Sequence, residues 1–107
     1  MTPVLVLTTV GATFDPAPLA TLLVEKQLAA CVNVIPQIYS VYRWKGAIER
    51  ESEQLLLIKT VDTRVDELRK ALFSMHPYEV PEFVVVTIDK LSDAYRSWLV
   101  GELHRAE

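Results

Sequence analysis

Cysteine, glycine and basic residues are scarce in this sequence, and each shortage excludes a class of protein. A single cysteine, Cys31, excludes an intrachain disulfide and therefore the disulfide framework of small secreted domains. Three glycines among 107 residues leave little material for a phosphate-binding loop, and no Walker or dinucleotide-binding motif occurs. A net charge of −3 argues against nucleic acid as a partner, because domains that bind it normally carry a basic surface.

Long apolar runs and enzyme signatures are also missing. No stretch approaches the ~20 apolar residues of a membrane span, and the N-terminus lacks the pattern of a signal peptide. We therefore expect a cytoplasmic protein with no membrane partner. Neither a G-x-S-x-G nor an H-E-x-x-H motif is present, so we expect no enzymatic activity.

Half of the residues are hydrophobic, and their periodicity predicts four strands and three helices. The strands cover 4–10, 31–44, 48–60 and 83–88, and the helices cover 15–28, 63–75 and 92–103. The order β-α-β-β-α-β plus a C-terminal helix predicts an α+β fold of the ferredoxin-like, split β-α-β type. We expect one domain, residues 1–107, with an antiparallel sheet that carries helices on one face. The strand 83–88, which is apolar on both faces, is expected at the centre of that sheet.

Strands 31–44 and 48–60 predict an unusually long β-hairpin. Fourteen residues at ~3.3 Å each extend about 46 Å, whereas a globule of this length is about 33 Å across. The hairpin should project beyond its own core, with Tyr42 and Trp44 near its tip. An exposed aromatic edge favours pairing with other copies, so we predict a closed homo-oligomer such as a trimer. The alternative is that Pro36 folds the strand back and leaves a monomer.

The segment 75–82 combines a histidine, a tyrosine and two carboxylates with two prolines. A residue before proline leaves helical geometry, so His76 should end the preceding helix. That structural role explains His76, Pro77 and Pro81 without any ligand. It explains Tyr78, Glu79 and Glu82 less well, so a binding site in this connection is the second interpretation.

Cys31 also permits two interpretations, a buried apolar residue or a soft-metal ligand that acts with His76. One cysteine and one histidine do not fill a tetrahedral site. A metal site therefore needs Glu79 or Glu82, or residues of a neighbouring subunit.

Three glutamates alternate along the predicted strand 48–60 and should share one face. They are Glu49, Glu51 and Glu53. A solvated acidic surface, or ion pairs with Arg43 and Lys45 across the hairpin, explains them better than a hard-cation site.

Four segments taken together closely resemble the CutA family of divalent-cation tolerance proteins. They occur in the same order and at compatible spacing, and the likeness extends from Val4 to about Leu103. The segments lie at 23–33, 40–46, 53–60 and 76–82. Some members carry additional cysteines, whereas this chain has Cys31 alone.

The resemblance implies a homotrimer of ferredoxin-like subunits, similar in architecture to PII-type signalling proteins. It implies a role in tolerance of copper and other divalent cations, with no obligatory cofactor and no established catalysis. Metal ligands at a cleft between subunits are then expected from Cys31, His76 and Glu79. The other matching cleft residues are Tyr42, Trp44, Glu53, Lys59 and Tyr78.

Two alternatives to cation binding remain open at this point. A PII-like signalling or scaffold module would bind a small anion or a protein partner in the same cleft, through Lys59 and Arg43. An enzyme using Tyr78, His76 and Glu79 is the third hypothesis.

Overall fold

A computed structural model describes residues 1–103, so the last four residues of the predicted 1–107 domain lie outside the described residues. The strands are β1 (Pro3–Gly11), β2 (Cys31–Trp44), β3 (Ala47–Val61) and β4 (Val84–Thr87). The helices are α1 (Ala17–Glu25), α2 (Val65–Met75) and α3 (Asp93–Leu103), with a 3-10 turn at Asp62–Arg64. The predicted order of elements is confirmed.

The four strands form one antiparallel sheet in the order β2-β3-β1-β4, which confirms the ferredoxin-like topology. The predicted central position of the fourth strand is wrong, because β4 lies at an edge and pairs with β1 alone. Val84, Val85 and Val86 are each 42–44% exposed. An apolar run predicts a strand, but it does not distinguish a central strand from an edge strand that the chain itself leaves exposed.

Successive side chains along each strand point to opposite faces of the sheet, and the two faces differ in what covers them. One face packs against Leu19 and Leu23 of α1 and Leu68 and Leu72 of α2, and these residues form the core. The sheet residues of this core are Val4, Val6, Val10, Leu56 and Ile58. The opposite face, called here the open face, carries half-exposed leucines at Leu5, Leu7, Leu55 and Leu57. The prediction of helices on one face is therefore confirmed for α1 and α2.

The helix ends agree only partly with the sequence pattern. The chain makes a 3-10 turn at Asp62–Arg64, and α2 begins without a side-chain cap. The Asp62 carboxylate instead accepts a 2.8 Å hydrogen bond from the backbone N–H of Thr2. The far end follows the prediction, since α2 stops at Met75 and His76 is extended, with φ −74° and ψ 133°.

Helix α3 packs beside β3 through a small separate cluster in which Leu99 and Leu103 cover Val61. The Ser92 hydroxyl accepts a hydrogen bond from the backbone N–H of Tyr95 at 3.2 Å and so caps this helix. None of the helices within residues 1–103 is long and apolar enough to cross a membrane.

The hairpin of β2 and β3 runs the length of the molecule, whose principal extents are 46 × 27 × 21 Å. Its register shifts between Ile35 and Ile38, and Gln37 adopts φ +63°, so β2 has a bulge at Pro36 and Gln37. Pairing continues beyond the bulge to Trp44, which excludes the folded-back alternative. Residues 38–52 are called the arm below.

Candidate functional site

A cleft of about 840 Å³ lies between the arm and the loop that joins α2 to β4. The arm forms one wall, residues 77–82 of the loop form the other, and Thr9 of β1 lies between them. The charged and aromatic residues that line the cleft are Tyr39, Tyr42, Trp44, Glu51, Glu53, Tyr78, Glu79 and Glu82.

Tyr78 joins the loop to the sheet through a buried carboxylate. Its hydroxyl donates a 2.6 Å hydrogen bond to Oε2 of Glu53, a residue that is only 5% exposed. Glu53 lies opposite Gly11 on β1, and a Cβ atom at Gly11 would lie 3.8 Å from the Tyr78 hydroxyl. Burial, followed by the hydrogen bond to Glu53, raises the pKa of Tyr78. The phenol therefore stays protonated and remains a donor at neutral pH.

His76 holds the start of this loop on the edge of β1. The backbone N–H of Tyr78 donates to Nδ1 of His76 at 3.1 Å, and Nε2 lies 2.9 Å from the carbonyl oxygen of Thr9. Because a backbone N–H can only donate, Nδ1 is the acceptor and Nε2 carries the proton. Burial lowers the pKa of His76, which favours this neutral form. Both ring nitrogens are engaged within the chain, so the imidazole presents no free lone pair.

The carboxylates of the cleft interact with tyrosine hydroxyls and with one another. The Tyr42 hydroxyl donates to Glu51 at 2.6 Å, and chiefly that bond raises the pKa of Tyr42 to about 12. Burial raises the pKa of Glu82, and the charge of Glu53 raises it further. The cleft is therefore an acidic environment that disfavours additional negative charge.

One basic side chain reaches the rim of the cleft. Nζ of Lys45, in the turn of the hairpin, lies 3.8 Å from a carboxylate oxygen of Glu79 and 5.6 Å from the ring centroid of Trp44. The Lys45 and Glu79 side chains are 71% and 73% exposed, so the pair contributes little to stability. It does show where an ammonium group rests against this surface.

The structure brings together most, but not all, of the predicted site residues. The ones that line the cleft are Tyr42, Trp44, Glu53, Tyr78 and Glu79, with His76 directly behind Tyr78. Cys31 on β2 is paired with Lys59 on β3. Lys59 lies six residues along β3 from Glu53, a distance of about 20 Å. A single chain therefore does not bring Cys31 to His76.

Cys31 and Lys59 have separate partners at their end of the sheet. Cys31 is half-exposed and its Sγ lies 3.6 Å from Oδ1 of Asn33, so the interpretation as a buried apolar residue does not apply. Nζ of Lys59 lies 5.7 Å from the ring centroid of Tyr95 on α3.

The donor atoms of one chain do not fit a complete copper site. Within residues 1–103, no three His, Cys, Asp or Glu side chains are grouped so that they could hold a metal ion. The nitrogens of His76 are already bonded, and Cys31 lies at the other end of the hairpin. A site with these ligands requires groups from a second subunit and a rearranged His76.

The sequence did not predict the burial of Glu53 or the position of Glu82 in the cleft. Ion pairs with Arg43 and Lys45 were one expectation for the arm glutamates. Lys45 instead contacts Glu79, and Arg43 lies opposite Ile48. The sequence does place Glu53 on the same strand face as Leu55 and Leu57. Its burial, however, depends on the loop between α2 and β4, which supplies Tyr78.

Comparison with known proteins gives a consistent result. The family model described as CutA1 divalent ion tolerance protein matches residues 4–102. The Protein CutA homolog of Xenopus laevis is 49% identical over 81 residues, which cover 76% of this chain and 53% of the frog protein. The chain spans about half the length of the vertebrate relatives that it matches.

Solved structures agree with the sequence comparison. CutA from Synechococcus elongatus PCC7942 has a TM-score of 0.89 and 46% identity, and the match covers 96% of this chain and 91% of that one. The PII-like protein CutA from Nostoc sp. PCC 7120 has a TM-score of 0.84 and 35% identity, with 94% and 97% covered. The chain therefore belongs to the CutA1 divalent ion tolerance protein family.

Proposed function

We propose that this chain is a cytoplasmic divalent-cation tolerance protein that acts as a homotrimer and catalyses no reaction. It binds copper or another divalent cation at clefts between subunits. The observation that carries the proposal is the acidic cleft, which four glutamates line in a member of a divalent ion tolerance family.

Uncovered apolar surface supports the assembly. The open face leaves its leucines half-exposed, and on the arm Tyr39, Val41 and Ile48 are 67%, 56% and 47% exposed. Exposed apolar surface of this kind is typical of an interface between chains. A neighbouring copy that covers the open face and the arm would remove this surface from water.

A cation site with the ligands Cys31, His76 and Glu79 needs two subunits. Glu79 lies on the cleft wall of one subunit, and Cys31 must come from its neighbour, because the two residues are far apart within one chain. His76 must release the backbone N–H of Tyr78 before it can bind a metal through Nδ1. Copper is the divalent ion that best suits a thiolate and an imidazole.

Calorimetric titration with Cu²⁺ tests this ligand set. The Cys31→Ser/His76→Ala and Glu79→Gln variants are compared with the control variant Glu25→Gln. Glu25 is exposed on α1, and its substitution changes the net charge of the protein by the same amount as Glu79→Gln. We expect both cleft variants to bind Cu²⁺ more weakly and Glu25→Gln to bind it normally. Equal binding by all the proteins would remove Cys31, His76 and Glu79 as ligands.

The anion-binding alternative has weaker support. Among the described residues that line the cleft there are four glutamates and no lysine or arginine. Lys59, one of the two basic residues expected to bind the anion, lies at the end of the hairpin away from the cleft. A thermal-shift comparison of Cu²⁺ with nucleotides and organic acids separates cation binding from anion binding. An anion receptor is stabilised by the nucleotides or organic acids, and a cation-binding protein is stabilised by Cu²⁺.

A further inference from the structure

We propose that Gln54 couples two loops that lie on opposite faces of the sheet. One is the loop between β1 and α1, residues 12–16. The other is the part of the loop between α2 and β4 that borders the cleft, residues 77–82, called here the cleft loop. The coupling needs no ligand, so it goes beyond the cation binding proposed above and does not depend on it.

Gln54 holds the loop 12–16 from the core face of β3, where it is paired with Val10 of β1. It is 8% exposed, and its Nε2 donates hydrogen bonds to the carbonyl oxygens of Gly11 at 2.9 Å and Phe14 at 2.7 Å. Both carbonyl oxygens can only accept, so the amide nitrogen faces them and supplies one hydrogen to each. The backbone N–H of Phe14 donates to the same Gly11 carbonyl at 3.2 Å, which closes the chain into a turn beside Gln54.

Glu53, the preceding residue of β3, holds the cleft loop from the open face. Successive side chains of a strand point to opposite faces, so the side chains of Glu53 and Gln54 lie on opposite sides of the sheet. The Glu53 carboxylate accepts the Tyr78 hydroxyl at 2.6 Å. A single peptide group therefore separates the residues that hold the two loops, and a rotation of β3 at this point displaces both of them together.

The end of β1 is a second connection between the two loops. Gly11 pairs with Glu53 across the sheet, and its carbonyl oxygen accepts the Gln54 amide. Two residues earlier, the carbonyl oxygen of Thr9 lies 2.9 Å from Nε2 of His76, the residue directly before the cleft loop. Both loops therefore rest on the last residues of β1, and their contacts form one contiguous path.

The bulge in β2 makes β3 more dependent on these side-chain bonds. The register shifts between Ile35 and Ile38 of β2, and the pairing passes over Gln54 at this shift. A bulge disrupts the ladder locally, so less backbone pairing fixes β3 at this level. Loss of the two bonds of Gln54 should therefore loosen β3 as well as the loop that Gln54 holds.

Hydrogen exchange of the full chain, freed of metals by chelation and followed by mass spectrometry, tests the coupling. Gln54→Met keeps the length of the side chain but donates no hydrogen bond. We expect the amides of the loop 12–16 to exchange faster and those of the cleft loop to exchange about two- to thirtyfold faster, with the amides of α3 unchanged. Acceleration limited to the loop 12–16, or equal acceleration throughout the chain, would overturn the proposal.

Gln27→Met is the matched control. Nε2 of Gln27 also donates to a backbone carbonyl, that of Glu102 at 3.3 Å, but this bond joins the residues after α1 to α3. We expect both loops to exchange in this variant as they do in the wild type. If Gln27→Met accelerated the cleft loop as much as Gln54→Met, a path through Gln54 would be contradicted.

Tyr78→Phe gives a second measurement, because coupling between two sites is reciprocal. This variant leaves Gln54 in place and releases the cleft loop from Glu53. The amides of the loop 12–16, on the other face of the sheet, should then exchange about two- to thirtyfold faster. Unchanged exchange of the loop 12–16 in Tyr78→Phe would also overturn the proposal.

Discussion

The hydroxyl of Tyr78 donates a 2.6 Å hydrogen bond to the buried carboxylate of Glu53, across 25 positions of sequence. This bond connects the loop after α2 to the base of the arm, and both belong to the cleft. Movement of Tyr78 with the loop would break its bond to the one cleft glutamate that is almost wholly buried.

Tyr78→Phe tests the energetic importance of that bond. The substitution keeps the ring but leaves the buried Glu53 carboxylate without its donor, so we expect a loss of about 1–3 kcal/mol in the free energy of unfolding. Urea denaturation at fixed protein concentration measures it. Tyr42→Phe is the matched control, because its bond to Glu51 joins two exposed residues and its loss should change stability little. Equal effects of the two variants would contradict the role given to burial.

His76 should make stability depend on pH. Burial lowers its folded-state pKa below the ordinary value of 6.5, so the unfolded chain takes up a proton first as the pH falls. The contribution of neutral His76 is present above pH 6.5 and is lost as the pH falls through the folded-state pKa. We expect the urea midpoint of the wild type to decrease over this range relative to that of His76→Gln. The difference between the two urea midpoints at each pH isolates the contribution of His76. Parallel pH profiles would contradict a neutral His76 whose two ring nitrogens are both hydrogen-bonded.

Glu82 should have the opposite pH dependence. Its folded-state pKa is raised, chiefly by burial and then by Glu53, so its protonated form favours folding below pH 4.5. That contribution is lost as the pH rises through the folded-state pKa. Glu82→Gln should therefore be more stable than the wild type at pH 7, and the difference should shrink at pH 4. A lower urea midpoint for Glu82→Gln at pH 7 would show that the carboxylate has a stabilising partner.

The two glycines with open space around them should respond to alanine in opposite directions. Gly46 adopts φ +83° in the hairpin turn, where a Cβ meets no atom within 4 Å but the backbone is strained, so Gly46→Ala should cost about 1–2 kcal/mol. Gly101 lies within α3, also with nothing within 4 Å, and Gly101→Ala should stabilise by about 0.5–1 kcal/mol. Thermal unfolding of both variants checks the pair. Stabilisation by Gly46→Ala would contradict the turn geometry.

The proposed trimer should depend on the open face. Leu57→Glu places a charge on that face, where we expect it to dissociate the assembly into folded subunits of 12.1 kDa. Val24→Glu is the control, because Val24 is 42% exposed on α1, in the helical layer on the other side of the sheet. Sedimentation measures both masses, and circular dichroism confirms folding. An unchanged mass for Leu57→Glu would contradict assembly through the open face.

The sequence predicted the elements and the path of the chain well. Apolar periodicity located β1 and α2, and Pro77 marked the end of α2 at His76. These features depend on neighbours within a few positions, so local patterns suffice to predict them. The edge position of β4 was missed because the apolar pattern of a strand does not determine its place in the sheet.

The site required the tertiary structure, because its contacts join residues far apart in the chain. Sequence suggested that His76, Tyr78 and Glu79 border a cleft, but it could not show that the peptide groups of Thr9 and Tyr78 occupy both nitrogens of His76. Nor could it show that Glu53 is buried while Glu51, two positions away on the same strand face, is exposed. Alternation along a strand determines which way a side chain points. Only the packing of a distant loop decides whether water still reaches it.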